Sequence, residues 1–394
     1  MDIFQKCFEY DRADKVIAMG LYPYFVPLQG HVGAEMEIAG HGLIMLGSNN
    51  YLGLTDDPYV MRKACEAIEK YGTGCTGSRF LNGTLDLHIE LEERLAGFLN
   101  KEACITFSTG FQSNLGTIGS LGTRNDILYL DRKNHASIID GARMGYAEVV
   151  KYRHNDMDHL RHILEKYRGR SGMIVTDGVF SMEGDLADIN GLADLAEEFG
   201  VRLLVDDAHG VGAMGATGRG TAEHQGCHER VDLLVGTFSK SFACIGGFAA
   251  GQKEVIHYLQ HVARTVIFSA SLPPSAVATV LAALDVLERK PELIAQVHRA
   301  AERCRNGLAD LGFNVGQSEA PIVPIIVGDD LDCFRFWKDL FDNGVFTNPV
   351  VSPAVEQGQA MLRTSYMASH TDDMIDRALE VFERVGKAHG LIGV

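Results

Sequence analysis

Arg202-Leu203-Leu204-Val205-Asp206-Asp207-Ala208-His209 and Leu233-Leu234-Val235-Gly236-Thr237-Phe238-Ser239-Lys240 share one pattern, a short apolar run that stops at a cluster of small and polar side chains. An unbroken apolar run of this length reads as a strand buried on both faces, as parallel sheets require. Polar groups gathered just beyond the carboxyl ends of such strands are where α/β proteins place their chemistry. The two stretches therefore speak to fold and site together.

Outward from them the same rhythm recurs. Ala103–Phe107, Ile127–Leu130, Glu148–Tyr152 and Met173–Thr176 are further apolar runs with helical segments between them. The pattern predicts a mostly parallel sheet covered by helices on both faces. Leu192, Leu195 and Ala196 mark the buried side of one such helix, which Gly200 ends. Asp57-Pro58 opens another, with Met61, Ala64, Cys65 and Ile68 as its packed stripe and Gly72 as its stop. From Pro291 a long helix carries Leu293, Val297, Ala300, Cys304, Leu308 and Leu311 inward. Beyond it come a strand at Ile322–Val327, a helix around Phe334–Leu340, a loop from Asn348 to Pro353, a strand near Leu362, and a last helix after Thr371. We expect an N-terminal segment (1–57), a large domain (58–288) and a smaller C-terminal α+β domain (289–394).

With 394 residues, 46% of them hydrophobic, the chain can bury a large core. Fifty-two acidic against thirty-six basic residues give a net charge of -16, which disfavours nucleic acid and anionic lipid as partners. Eight cysteines lie scattered with no C-x-x-C pair, so neither a metal site nor a disulfide framework is expected. Met1–Tyr10 lacks the apolar core of a signal peptide, and no apolar stretch is long enough to span a bilayer. A cytoplasmic enzyme is the expectation, with peripheral contact on the inner membrane face left open.

An acid at one strand end and a lysine at the next are what pyridoxal phosphate chemistry needs, because a carboxylate pairs with the pyridine nitrogen and an amine forms the Schiff base. Asp206 and Lys240 fill those places; each alone also reads as a surface or capping residue. Ser108-Thr109-Gly110-Phe111-Gln112-Ser113-Asn114 leads from a strand into a helix, where the free N–H groups of Gly110 and Phe111 could hold a phosphate. Thr237 and Ser239 could add hydroxyls to the same anion. His135 could stack on a flat ring, or be an ordinary loop histidine. Ser181 could reach a ring substituent, while Asp177 could simply fasten its loop. The glycine-rich run Gly72–Arg79 reads as a loop that approaches a ligand. Ser239-Lys240 also resembles an acyl-enzyme nucleophile, but no G-x-S-x-G elbow accompanies it, and no G-x-G-x-x-G marks a dinucleotide site.

These blocks resemble the α-oxoamine synthase family of pyridoxal-phosphate enzymes, of the aspartate-aminotransferase fold type (fold type I). The likeness runs from Gly47-Ser48-Asn49-Asn50-Tyr51-Leu52-Gly53-Leu54 to Leu362-Arg363-Thr364-Ser365, through Tyr71–Thr84, Phe107–Asn114, Gly236–Ser241 and Asn348–Val355. The resemblance implies Lys240 as the Schiff-base lysine, Asp206 on the pyridine nitrogen and His209 on the phenolic oxygen. It implies His135 on the ring and on the substrate carboxylate, with Gly110, Phe111, Thr237 and Ser239 on the phosphate and Ser181 orienting the ring. Asn49 and Arg363 would line the substrate end. Homodimers with shared active sites are implied as well, so that Ser78 and Ser269-Ala270-Ser271 would serve the partner's cofactor.

Within the family the likeness is greatest to the bacterial branch that condenses L-serine with palmitoyl-CoA to 3-oxosphinganine, CoA and CO2. Other branches use glycine to make 2-amino-3-oxobutanoate, or alanine and a pimeloyl thioester to make a biotin precursor. The loop Cys75–Thr84 departs from what those branches carry. Tyr22–Pro27 stands where the biotin branch tends to place an arginine, and its apolar neighbours Leu21, Tyr24 and Phe25 suit a long hydrocarbon or an interface.

Overall fold

The computed structural model describes residues 2–38 and 40–393. Two strands open the fold, β1 (Glu35–Ile38) and β2 (His41–Met45). Then come β3 (Ala103–Phe107), β4 (Ile127–Asp131), β5 (Glu148–Tyr152), β6 (Gly172–Asp177), β7 (Arg202–Asp206), β8 (Leu233–Thr237) and β9 (Gly247–Gly251). The chain closes with β10 (Ile322–Gly328), β11 (Val345–Phe346), β12 (Asn348–Val350) and β13 (Ala360–Ser365). The architecture is that of an aspartate-aminotransferase-like fold, a mixed α/β part with a smaller C-terminal part.

β3 to β9 form a seven-stranded sheet in the order β3-β9-β8-β7-β6-β4-β5. The neighbours β8-β7-β6-β4-β5 run parallel, and β9 alone is antiparallel to both its partners. Every residue of β4, β8 and β9 is buried, as helices on both faces require. The predicted strands all appear, within a residue or two of the expected ends. β9 was not expected, because Gly247-Phe248-Ala249-Ala250-Gly251 is poor in the branched side chains that mark strands. Its composition has a steric reason: a Cβ at Gly247 would lie 2.7 Å from the Cα of Gly110, so the bare strand lets the helix Gly110–Leu121 settle on the sheet.

The helix Pro58–Tyr71 starts as expected, with the Asp57 carboxylate accepting from the N–H groups of Tyr59 and Val60. Its expected stripe needs correction. Val60 and Ala67 are buried and Ala64 half-buried, whereas Met61, Cys65 and Ile68 are exposed. The small side chains at 64 and 67 face the helix Pro274–Arg289 and permit close packing, which turns the larger ones outward.

β10, β13 and β12 form an antiparallel sheet. Asn348–Val350, expected to be loop, is its edge strand, where Pro349 lacks no needed donor. The helices Glu292–Asp310, Asp330–Asp342 and Asp372–Ala388 pack here around Phe313, Phe336 and Phe382. β2 pairs with β11, and Ile38, Leu43 and Ile44 share this same core. No helix among the described residues is long and apolar enough to cross a membrane.

Candidate active site

The carboxyl ends of β8, β7, β6 and β4 lie side by side, closing on Thr237, Asp206, Asp177 and Asp131. Asp177 sits in register with Asp206. The loops that follow, with the start of the helix Gly110–Leu121, enclose a cavity of about 330 Å³. Gly110, Phe111, His135, Ser181, Asp206, His209, Thr237, Ser239 and Lys240 all line it. Residues separated by more than a hundred positions thus meet at one sheet edge.

The lysine loop is anchored from below. Phe238 and Phe242 are fully buried and pack edge to face with ring centroids 5.9 Å apart, and Phe238 stacks on Phe248 at 5.6 Å. Phe238 exchanges backbone hydrogen bonds with Gly246 and Cys244. Phe238 and Phe242 thus turn into the core while Ser239 and Lys240 face the cavity. Desolvation there lowers the Lys240 amine to about 8, with Asp206 opposing and Arg363 reinforcing the shift. A neutral fraction is then available near neutral pH, as nucleophilic attack requires.

Of the adjacent pair Asp206 and Asp207, only the first faces the cavity. Asp207 is buried beneath it, accepts from the N–H and hydroxyl of Thr221 at 2.6 Å each, and is pushed up to about 6 by burial. Asp206 accepts from the Ala208 N–H (3.1 Å) and from the Asn114 amide (2.5 Å).

Thr109 caps the helix Gly110–Leu121 by accepting from the Gln112 N–H (3.1 Å), and the ladder leaves the N–H groups of Gly110 and Phe111 free for an anion. A Cβ at Gly110 would fall 2.6 Å from Thr237 Oγ1, so glycine is what keeps this corner open. Thr237 Oγ1 lies 2.9 Å from Ser239 Oγ, and the two hydroxyls close the cradle. Dianion cradle, strand-end acid, depressed lysine and flanking imidazole fit pyridoxal phosphate group by group. The first three would hold its phosphate, ring nitrogen and aldehyde respectively, and the imidazole would meet the ring.

His135 opens onto the cavity. Desolvation lowers its imidazole, against Asp206 and with help from Lys240. Its main-chain N–H donates to Asp177 Oδ2 at 2.7 Å, so Asp177 does fasten the loop, and does so directly beneath the ring-facing histidine. Burial, with Asp206 beside it, holds the Asp177 carboxyl well above the usual range. His209 is buried, its Nδ1 2.7 Å from Tyr51 Oη, and burial together with Lys240 and Arg363 keeps it neutral.

Sequence reasoning passed over Asn114, Ser137 and Tyr51 as site residues. Asn114 and Tyr51 lie in quoted blocks and Ser137 two residues beyond His135, yet an amide, a hydroxyl and a phenol carry no signal of chemistry until a neighbour is known. Asn49 and Arg363, expected at the substrate end, are not part of the cavity wall. Arg363 Nη2 donates to Asn49 Oδ1 (3.0 Å), and its Nε donates to the Ser181 carbonyl. Ser78 lies apart from the cavity, buried in the glycine-rich loop, with its hydroxyl unpartnered among the described residues. Ser271 donates twice to the Gly77 carbonyl at 3.0 Å, which binds that loop to the 269–271 segment.

A profile of the aminotransferase class I and II family matches residues 41–382. Serine palmitoyltransferase of Sphingobacterium spiritivorum is 49% identical over 379 residues, covering 96% of this chain and 95% of that protein. The 8-amino-7-oxononanoate synthase of Thermoanaerobacter pseudethanolicus is 40% identical over 386 residues, 97% of each. Among solved structures, Sphingomonas wittichii serine palmitoyltransferase superposes with a TM-score of 0.96 over 100% of both chains, at 36% identity. The chain belongs to the aminotransferase class I and II family, and within it is a pyridoxal-phosphate-dependent enzyme of the α-oxoamine synthase type.

Proposed function

We propose that this enzyme condenses L-serine with a long-chain acyl-CoA, palmitoyl-CoA in the first instance, releasing CoA and CO2 and forming 3-oxosphinganine, the entry to sphingolipid synthesis. The observation that carries the choice of serine is the full-length 49% identity to a serine palmitoyltransferase, against 40–44% to synthases named for the biotin branch.

Pyridoxal phosphate, when bound, supplies an electron-withdrawing ring that makes the α-proton and the carboxylate of the amino acid removable. Asp206 would face the ring nitrogen and keep its proton there. Lys240 would hold the cofactor through its aldehyde and would serve as the base that takes the α-proton on Nζ; an amine lowered to about 8 suits both tasks. His135 would lie against the ring and offer a donor to the serine carboxylate. Arg363, held by Asn49 and Ser181, sets the opposite limit of the amino-acid pocket.

A second copy of the chain completes this reading. Beside Ser78 and the 269–271 segment, Phe80, Leu81 and Phe268 are turned outward, the last two 77% and 75% exposed. Apolar display of this kind suits a homodimer interface that carries Ser78 toward the partner's cofactor.

An absorbance titration of the yellow protein with serine, glycine and alanine tests the substrate, followed by product mass after addition of acyl-CoA esters. Serine is expected to shift the spectrum and palmitoyl-CoA to give the C18 amino ketone. A response confined to glycine or alanine, with a short-chain product, would overturn the proposal.

A further inference from the structure

We infer that Asn114 and Ser137 are positioning residues that lock His135 in the tautomer with its proton on Nε2 and tie that choice to Asp206. Both are almost completely buried and line the cavity wall. The Asn114 amide nitrogen lies 2.5 Å from Asp206 Oδ2 and 2.8 Å from Ser137 Oγ. An ionised carboxylate only accepts, so the nitrogen and not the oxygen of Asn114 must face Asp206. Both amide hydrogens are then spent. The Asn114 oxygen is left buried without a partner among the described residues, a cost borne only when the other end of the amide is firmly held.

Ser137 Oγ, having accepted from Asn114, still has its own proton to give. The acceptor within reach is His135 Nδ1 at 2.7 Å, toward which the Ser137 main-chain N–H also points at 3.3 Å. A ring nitrogen that receives two donors carries no hydrogen, so the imidazole proton sits on Nε2. Desolvation of the site favours the same neutral ring. Asn114 thus donates both ways, to Asp206 on one side and to Ser137 on the other, and Ser137 donates onward to His135. The same amide fixes the rotation of the Asp206 carboxylate and leaves His135 with its Nε2–H as the free donor.

The tautomer itself needs no substrate. Its consequence, a donor preset for the serine carboxylate, rests on the function proposed above. The test is ¹⁵N NMR of histidine-labelled holoenzyme without substrate, with His135 assigned by difference from His135→Gln. We expect Nδ1 unprotonated and Nε2 protonated at neutral pH. An Nδ1–H tautomer or an imidazolium at neutral pH would overturn the inference. Ser137→Ala should give a mixture of tautomers and raise KM for serine about tenfold, the worth of one hydrogen bond, with the larger part of the loss in KM and not in kcat. Ser137→Thr should restore both readings. An unchanged tautomer in Ser137→Ala would also overturn it. Failure of the wild-type spectrum to respond to serine would remove the proposed substrate while leaving the NMR result to be judged alone.

Discussion

The part of the site proposed to hold the cofactor and the part proposed to hold the amino acid are assembled by different routes. Asp177, Asp206 and Thr237 end three adjacent strands of one sheet, and Lys240 follows within three residues, so backbone register alone brings them together. Asn49 and Arg363 are 314 residues apart. They meet because β13 is stitched to the segment before Tyr51: Ser365 donates from its N–H to Leu46 and from its hydroxyl to Ser48, while Asn348 donates to Gly47. The first half is as rigid as a buried sheet. The second depends on how the C-terminal part seats against residues 46–50, which makes it the natural place to alter amino-acid binding without loosening the cofactor.

The largest effect should come from the sheet-built half. Asp206→Ala removes the partner of the ring nitrogen and should cut kcat about 10³-fold, the scale seen when a preorganised electrostatic contact is lost. Absorbance should still report a cofactor covalently attached through Lys240. In the other half, Arg363→Lys keeps the charge but loses the two-point grip on Asn49 and Ser181. KM for serine should rise about 100-fold, equivalent to about 2.7 kcal/mol, with cofactor affinity unchanged. An equal loss of cofactor affinity would erase the distinction between the halves.

Gly110→Ala sharpens the contrast from the other side. Its new Cβ would stand 2.6 Å from Thr237 Oγ1 and 2.7 Å from Thr237 Cβ, so cofactor affinity measured by dialysis should weaken about 30-fold while KM for serine in the loaded fraction stays near wild type.

The smallest effect is on stability, at the joint between the halves. His154 bridges Asp131 on β4 (3.0 Å) and Asp185 (2.6 Å) in the loop that bears Ser181. Burial alone would depress its imidazole, but the hydrogen bonds and charges of the two carboxylates outweigh it and raise the group to about 9. A raised histidine stabilises the fold fully below about pH 6.5 and loses that contribution as pH climbs through about 9. His154→Gln should therefore lower the unfolding free energy read from urea titration by about 2 kcal/mol at pH 6, with the gap narrowing toward pH 10. A gap independent of pH would show that the imidazole is neutral.

The same contrast explains what could be read from the chain. Strand-end chemistry is visible locally, because Val205-Asp206 and Gly236-Thr237 show the change from apolar to polar at the point where the backbone leaves the sheet. Asp206, Thr237, Ser239 and Lys240 could be singled out on that ground, and all four line the cavity. Arg363 sits inside a short strand with nothing nearby to distinguish it from a surface arginine, and only family resemblance pointed to it. β9 escaped notice because its glycines serve the approach of Gly110 instead of strand propensity. The stripe on Pro58–Tyr71 was misplaced by one position because periodicity ranks Met and Ile above Ala, while close helix packing prefers the smaller side chain. Asn114 and Ser137 act through partners distant in the chain, and a single sequence does not display such pairings.

The central claim is that the amine at position 240 carries the cofactor at the end of β8. Reduction of the holoenzyme with borohydride followed by peptide mapping tests it most directly. The pyridoxyl mass should be found on the peptide containing Lys240 and nowhere else; a tag on another lysine, or no tag on a protein that retains its yellow colour, would contradict the account.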